Sequence, residues 1–277
     1  MINTLISLNA DLASSIAFRY ACRLREYIDM RLQPIHVEEL EEAPPGSGWV
    51  RSTWEKGLVQ TAREEIAQLI NAEKAECALL DATIVRTGEY DDVLLHEIET
   101  RSSDLLVEGV LSSFRDQLFH KRIRSKLHRF SPAPIIVVKN LVQPDRVGLL
   151  LGDAEDVAAV VPTFLKLFTK PGPRVDLIYF TFKKRGKPAF REKMPEGDMP
   201  EERENARNLL NNAGEMLAEK GWRPGERWAI QDLPETIGAS LSDYGLVAAA
   251  LTRNIHKDGL MSDLLSRIST ATLLCKK

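Results

Sequence analysis

The order of strand-like segments occurs twice along this 277-residue chain, and this duplication constrains the fold more than any other feature. The interval from Asn9 to Asp104 is 95 residues, and that from Gly152 to Gly245 is 93. A repeat this long predicts two similar domains and excludes a solenoid. The apolar runs that define the repeat are Leu5–Leu8, Asp104–Gly109 and Ile135–Val138 in the first half, and Val147–Leu151, Gly245–Ala250 and Thr272–Cys275 in the second.

Strand patterns alternate with helical patterns inside each half. Such alternation predicts parallel strands joined by right-handed helical crossovers, and we predict an α/β fold with two tandem doubly wound five-stranded parallel sheets. Sheets of this kind bind ligands beyond the carboxyl ends of their strands, where the strand order reverses. In the first half, Ser14 or Ser15 is expected to cap the first helix, and the spacing of Phe119, Ile123, Leu127 and Phe130 predicts one continuous helix.

Two polar segments interrupt the alternation of strands and helices. Lys139–Arg146 contains an asparagine and a proline and is typical of a linker. We therefore predict domains at residues 1–140 and 146–277, the second more degenerate. Lys183–Glu204 is a charged insertion with three prolines, which we expect to be mobile.

Composition narrows the class of protein. The formal charge of −3 and the pI near 6.0 give no surplus of basic residues for nucleic acid. No apolar run reaches the ~18 residues that a membrane helix needs, and the first residues do not resemble a signal peptide. Three widely spaced cysteines form no metal-type motif, and we expect them to be reduced thiols. These observations favour a soluble cytoplasmic protein that binds neither nucleic acid nor membranes.

Several motifs resemble the universal stress protein family. His36-Val37 follows the family's second-strand pattern, residues 104–109 read Asp-Leu-Leu-Val-Glu-Gly, and residues 132–138 read Pro-Ala-Pro-Ile-Ile-Val-Val. The second half matches less closely, at residues 245–247 and 271–274. The resemblance implies a tandem member with the adenine nucleotide alpha hydrolase-like fold. It also implies an internal pseudo-dimer in which the last strands pair, and allows a homodimer.

Family members that bind ATP carry the motif G-x2-G-x9-G-[ST] after the fourth strand. Glycines allow the backbone to approach phosphates, whose charge is then met by free N–H groups at a helix start. Here Gly109 supplies the first glycine, but the second falls on Ser112, and the closing pair falls on Arg122 and Ile123 or on Lys121 and Arg122. The corresponding residues of the second half are Ala250, Arg253, Asp263 and Leu264.

The adenine end of the family site is altered as well. The aspartate that usually ends the first strand is replaced by Asn9 in one half and Gly152 in the other. Asp11 and Asp153 lie nearby, but a shift of one or two residues directs a side chain elsewhere. We therefore predict no ATP binding in the family manner and no cofactor, with ATP or AMP as the alternative.

A run of basic residues from Arg115 to Arg129 allows two interpretations. It is either a cationic patch for a phosphate or an acidic partner, or the solvated face of a helix with cations near its carboxyl end. We favour the helix face. If the run does bind an anion, Lys121 and Arg122 replace the phosphate loop by position, beside Ser112 and Ser113.

Three functions remain open at this stage. The first is a non-catalytic stress-response protein that binds an unknown protein partner or a small ligand. The second is an adenine-nucleotide sensor or slow ATPase in the first domain. The third is an enzyme of the related hydrolase superfamily, which we disfavour because its Ser-Gly-Gly-x-Asp-Ser loop is absent. The candidate anion-binding or nucleotide-binding residues are Asn9, Val37, Gly109, Ser112, Ser113, Lys121 and Arg122.

Overall fold

A single eleven-stranded sheet forms the centre of the molecule. The computed structural model describes residues 1–39, 49–73, 80–111, 116–170, 172–183, 189–193, 204–252 and 259–277, without the side chains of residues 49–52 and 116–118. The strand order is β3-β2-β1-β4-β5-β11-β10-β6-β7-β9-β8. The first five of these strands come from the N-terminal half of the chain and the other six from the C-terminal half.

The N-terminal half alternates strands and helices, as the sequence pattern predicts. Its strands β1 to β5 pair in parallel with one another. The elements are β1 (Ile2–Ser7), α1 (Leu12–Leu24), β2 (Met30–Glu38), α2 (Trp49–Glu73), β3 (Ile84–Thr87), α3 (Tyr90–Thr100), β4 (Leu105–Gly109), α4 (Asp116–Ile123), α5 (Lys126–Phe130) and β5 (Ile135–Val138).

The C-terminal half repeats the plan with one added strand. The strands β6, β7, β9, β10 and β11 pair in parallel, whereas β8 lies antiparallel to β9 at the edge of the sheet. The elements are β6 (Arg146–Leu151), α6 (Ala154–Leu167), β7 (Arg174–Phe182), β8 (Phe190–Lys193), α7 (Glu204–Glu219), β9 (Pro224–Asp232), α8 (Pro234–Ser240), β10 (Leu246–Leu251), α9 (Leu260–Arg267) and β11 (Ala271–Lys276).

The two halves join through the antiparallel pair β5 and β11, in which Ile136 lies opposite Leu273. Three residues beyond each of these, a lysine reaches into the other half. Lys139 donates to the carbonyls of Leu265 and Ile268 at 2.5 and 2.7 Å, and Lys276 donates to the carbonyl of His128. Because the central pair is antiparallel, the carboxyl ends of the parallel strands lie on opposite edges of the molecule in the two halves.

Both faces of the sheet are covered by apolar side chains that continue across this junction. On one face Val107, Ile136 and Leu273 belong to a single buried cluster, and on the other face Leu106 and Leu274 belong to a second. Strands that are buried on both faces read as continuous aliphatic runs, which is why β5 and β10 are so clear in the sequence. The predicted architecture is confirmed, with the two sheets fused into one.

Three local predictions need correction. The predicted helix over Phe119 to Phe130 is two helices, because Ser125 breaks it and accepts from the His128 amide as the cap of α5. Within the insertion predicted to be mobile, residues 190–193 form β8, whose pairing with β9 has no local sequence signal. Residues 184–188 and 194–203 of that insertion lie outside the described residues. Cys22 is disulfide-bonded, so the prediction of reduced thiols is wrong there, whereas Cys275 is free and buried.

Candidate functional site

In the N-terminal half, the turn after β1 is closed by its own hydrogen bonds. Asp11, not a serine, caps α1 by accepting from the Ser14 amide at 2.8 Å. The Ser14 hydroxyl in turn accepts from the amide of Asn9 at 2.7 Å. The prediction that Ser14 or Ser15 caps the helix is therefore wrong. The acidic residue near Asn9 is committed to the helix terminus.

The packing of β4 against α1 explains why residue 109 is a glycine. A β-carbon at this position would lie 2.1 Å from the carbonyl oxygen of Ala13. Glycine therefore lets the end of β4 pack against the start of α1. Val37 is buried in β2, where it lies opposite Arg86 of β3.

Arg122, a candidate anion-binding residue, is paired with carboxylates of its own chain. Its guanidinium donates to one oxygen of Glu108 at 2.5 and 2.9 Å and lies 3.7 Å from Asp91. It also lies over the ring of Tyr90, 4.2 Å from the ring centre, in a cation–π contact. The cation thus neutralises a buried carboxylate and does not face an open anion site.

The buried network around Arg122 also includes His128 and Ser7. The imidazole of His128, which is fully buried, lies 2.9 Å from Glu108. The Tyr90 hydroxyl is 2.5 Å from the Ser7 hydroxyl at the end of β1. Burial alone would raise the pKa of Glu108, but Arg122 and His128 outweigh it and lower that pKa to about 2. Burial raises the pKa of Tyr90 to about 12.

The rest of the basic run does not form one patch. Lys126 pairs with Asp92, and Arg124 donates to the carbonyl of His120 at 2.8 Å. Lys121 is exposed and has no ion pair to any residue that the structure describes. Ser112 and Ser113 lie outside the described residues. The structure brings Asn9 and Gly109 to the ends of neighbouring strands, whereas Lys121 is exposed to solvent.

The C-terminal half has a cavity of about 540 Å³ at the carboxyl ends of β6, β7 and β10. Strand pairing places Phe180 where the other half has Val37, and Ala249 and Leu150 where it has Glu108 and Ser7. The apolar lining comes from Phe180, Phe182, Ala250, Leu260 and Met261. At these strand positions the C-terminal half is apolar, whereas the N-terminal half has the charged Glu108 and the polar Ser7.

A compact charge cluster closes one side of the cavity. Asp153 caps α6 by accepting from the Asp156 amide at 2.8 Å, and Asp156 accepts from the amide of Gly152 at 2.7 Å. The ammonium group of Lys277 lies 2.9 Å from Asp156 and 3.2 Å from Asp153. Burial opposes the charge of Lys277, but these carboxylates raise its pKa. The carboxylates at the start of α6 occupy the position where a helix would otherwise attract an anion.

A second charged network lies at the opposite, amino edge of the C-terminal half. Asp176 is fully buried and accepts from Arg146 at 2.7 Å, from Tyr244 at 3.1 Å and from the amide of Glu226 at 2.7 Å. The family pattern has an aspartate where this chain has Gly245. Only glycine fits here, because a β-carbon would lie 1.8 Å from the carbonyl oxygen of Gln143 in the linker. This network contacts no residue of the cavity and has a structural role.

Sequence reasoning missed the residues that decide both sites. The partner of Arg122 is Glu108, whose only sequence signal is a charge inside an otherwise apolar strand. The cavity residues Phe180 and Phe182 alternate along β7, a period-2 signal that could have marked one face. Among the residues that the structure describes, no group of side chains could hold a metal ion, and no helix is long and apolar enough to cross a bilayer.

Neither protein-family models nor curated protein sequences match the chain. Solved structures do. A universal stress protein from Archaeoglobus fulgidus is 11% identical, with 99% of this chain and 98% of that chain covered and a TM-score of 0.65. A functionally unknown protein from Pseudomonas aeruginosa is 12% identical, with 99% and 92% covered and a TM-score of 0.57. At these identities the likeness establishes the fold: over its whole length, the chain has the fold of universal stress proteins.

Proposed function

We propose that this chain is a non-catalytic stress-response protein of the universal stress protein type, built as an internal pseudo-dimer of domains 1–140 and 146–277. It acts by binding a small ligand or a partner and holds no triphosphate in the family manner. The ligand site is the cavity of the C-terminal half. The observation that carries this proposal is that this cavity has an apolar lining and an internally neutralised charge cluster.

The chemistry of the cavity selects an uncharged, mostly apolar ligand. An anion would face the carboxylates of Asp153 and Asp156, and a cation would face Lys277, which those carboxylates already bind. The lining also includes Thr181, Thr252 and the exposed Lys183. Aromatic and aliphatic side chains supply most of the remaining surface, as they do in most sites for small molecules. A volume of about 540 Å³ is in the range of such sites.

The alternative, an adenine-nucleotide sensor in the N-terminal half, has less support. It would need Arg122 to leave Glu108, and breaking a buried ion pair typically costs about 3–5 kcal/mol. Lys121 is exposed and has no ion pair to a described residue, and a single exposed lysine is a weak phosphate site.

Binding of N-phenyl-1-naphthylamine, an uncharged aromatic fluorophore, tests the cavity directly. We expect saturable fluorescence enhancement with the full chain. The variant Thr252→Trp should abolish it, because Thr252 is an exposed residue at the cavity mouth. Thr100→Trp, an exposed position on α3, is the matched control and should bind as the wild type does. Equal binding by Thr252→Trp and the wild type would show that the cavity is not the site.

Adenine nucleotides provide the second arm of the test. Millimolar ATP, ADP and AMP should leave the thermal unfolding midpoint unchanged, because a ligand stabilises the folded state only if it binds it, by RT ln(1 + L/Kd), where L is the free ligand concentration. A rise in the midpoint that Lys121→Ala removes would replace this proposal with the nucleotide sensor.

A further inference from the structure

A second cavity, of about 450 Å³, lies on the opposite side of the Gly152–Asp153 turn, between that turn and helix α7. Its wall on α7 is made of asparagines. Asn205, Asn208 and Asn212 are spaced by three and four residues and therefore share one helix face. Tyr179 of β7 and the partly buried Leu209 form the floor.

Four polar side chains of this cavity, the three exposed asparagines and Tyr179, have no hydrogen-bond partner among the residues that the structure describes. Asn205, Asn208 and Asn212 make no hydrogen bond there, and neither does the hydroxyl of Tyr179. Asn211 on the same helix differs, since it accepts from Arg227 at 2.7 Å. Asparagine is also a poorer helix former than alanine, by up to about 0.7 kcal/mol for each residue. Helix propensity therefore does not explain why asparagines occupy this face of α7.

The charge of the cavity narrows the ligand class. Among the described residues that line it there is no lysine, arginine or histidine, so these residues offer phosphates and carboxylates no counter-ion. Asp153 is the one acid in the lining, and Lys277 and the Asp156 amide already bind it. Each amide offers two donors and a carbonyl acceptor, a pattern that matches adjacent hydroxyl groups. The ring of Tyr179 can cover the C–H face of a sugar ring.

We propose that this cavity binds a neutral polyhydroxylated ligand, a sugar or a cyclic polyol, between the asparagine face of α7 and Tyr179. The site is distinct from the apolar cavity, and the inference holds whether or not that cavity binds an apolar molecule.

Chemical-shift perturbation in two-dimensional NMR of the full chain tests the inference, with methyl glucoside, methyl mannoside and myo-inositol as the probes. At least one polyol should shift the backbone amides of Tyr179, Asn208 and Asn212 with saturation. The double variant Asn208→Ala with Asn212→Ala should weaken its binding by about tenfold. Tyr179→Phe should weaken it less, by about fivefold.

Two controls distinguish an effect on folding from an effect on polyol binding. Alanine raises helix propensity, so the double variant should unfold at the same temperature or higher. Glu215→Ala, an exposed position on α7 outside the cavity, should bind the polyol as the wild type does. The inference is overturned if no probe shifts these amides at tens of millimolar, or if the double variant binds as tightly as the wild type.

Discussion

The two halves of this molecule share one element order but use the carboxyl edge of the sheet in opposite ways. In the N-terminal half, Ser7 and Glu108 introduce polar groups, and Arg122, Tyr90 and His128 enclose them. In the C-terminal half, the equivalent positions are Leu150 and Ala249, and an apolar cavity remains open beside them. Two substitutions on paired strands thus separate a closed ionic network from an accessible cavity. The fold fixes where a ligand could bind, and a few side chains decide whether it does.

The largest expected effect comes from breaking the network of the N-terminal half. Arg122→Met should lower the free energy of unfolding by about 3–5 kcal/mol, because Glu108 would be left buried without its main cation. The double variant Arg122→Met with Glu108→Leu should cost less than the single variant, since it makes this edge apolar like that of the other half. Urea denaturation measures both.

Lys121→Ala is the matched control for that experiment and should change stability by less than about 0.5 kcal/mol. If Arg122→Met is as mild as Lys121→Ala, the network does not stabilise the N-terminal half, and the contrast between the halves is wrong.

An intermediate effect is expected from acid. The pKa of Glu108 in the folded state is about 2, below its ordinary value, so its contribution to stability is complete at neutral pH and is lost as the pH falls toward 2. Between pH 7 and pH 3, the wild type should lose about 2 kcal/mol more than Glu108→Gln does. Urea denaturation at both pH values measures the difference. Parallel losses in the two proteins would show that Glu108 is not held ionised by its neighbours.

The smallest expected effect compares one buried tyrosine from each half. Tyr244→Phe should cost about 1 kcal/mol, because Asp176 keeps its arginine and backbone donors. Tyr90→Phe should cost at least as much, since it leaves the buried hydroxyl of Ser7 without another described partner. Thermal unfolding followed by circular dichroism ranks them. If Tyr90→Phe leaves the unfolding temperature unchanged, the Tyr90 hydroxyl does not contribute to the stability of the network.

Much of the fold could be predicted from the sequence because β5 and β10 are aliphatic throughout, and α3 begins at its acidic first turn. The break between α4 and α5 was missed because Phe119, Ile123 and Leu127 keep one helical spacing across it. Strand β8 has no alternation of apolar residues, so the sequence contains no local signal for its pairing with β9. The boundaries at 140 and 146 stay a prediction.

The candidate site could be predicted only in part, for a physical reason. The loss of the glycine cradle is visible in the sequence, but the role of Arg122 depends on Glu108, fourteen residues earlier on another element. Two decisive residues of the cavity in the C-terminal half are Phe180 on β7 and Lys277 just after β11, and only the fold brings them together.

A crystal structure of the protein grown with millimolar ATP and N-phenyl-1-naphthylamine together is the most direct test of the central claim. The account predicts density for the fluorophore between Phe180 and Met261, with Arg122 still bound to Glu108 and no nucleotide at either edge. Density for ATP beside Asn9 and Gly109, or beside Gly152, would contradict it.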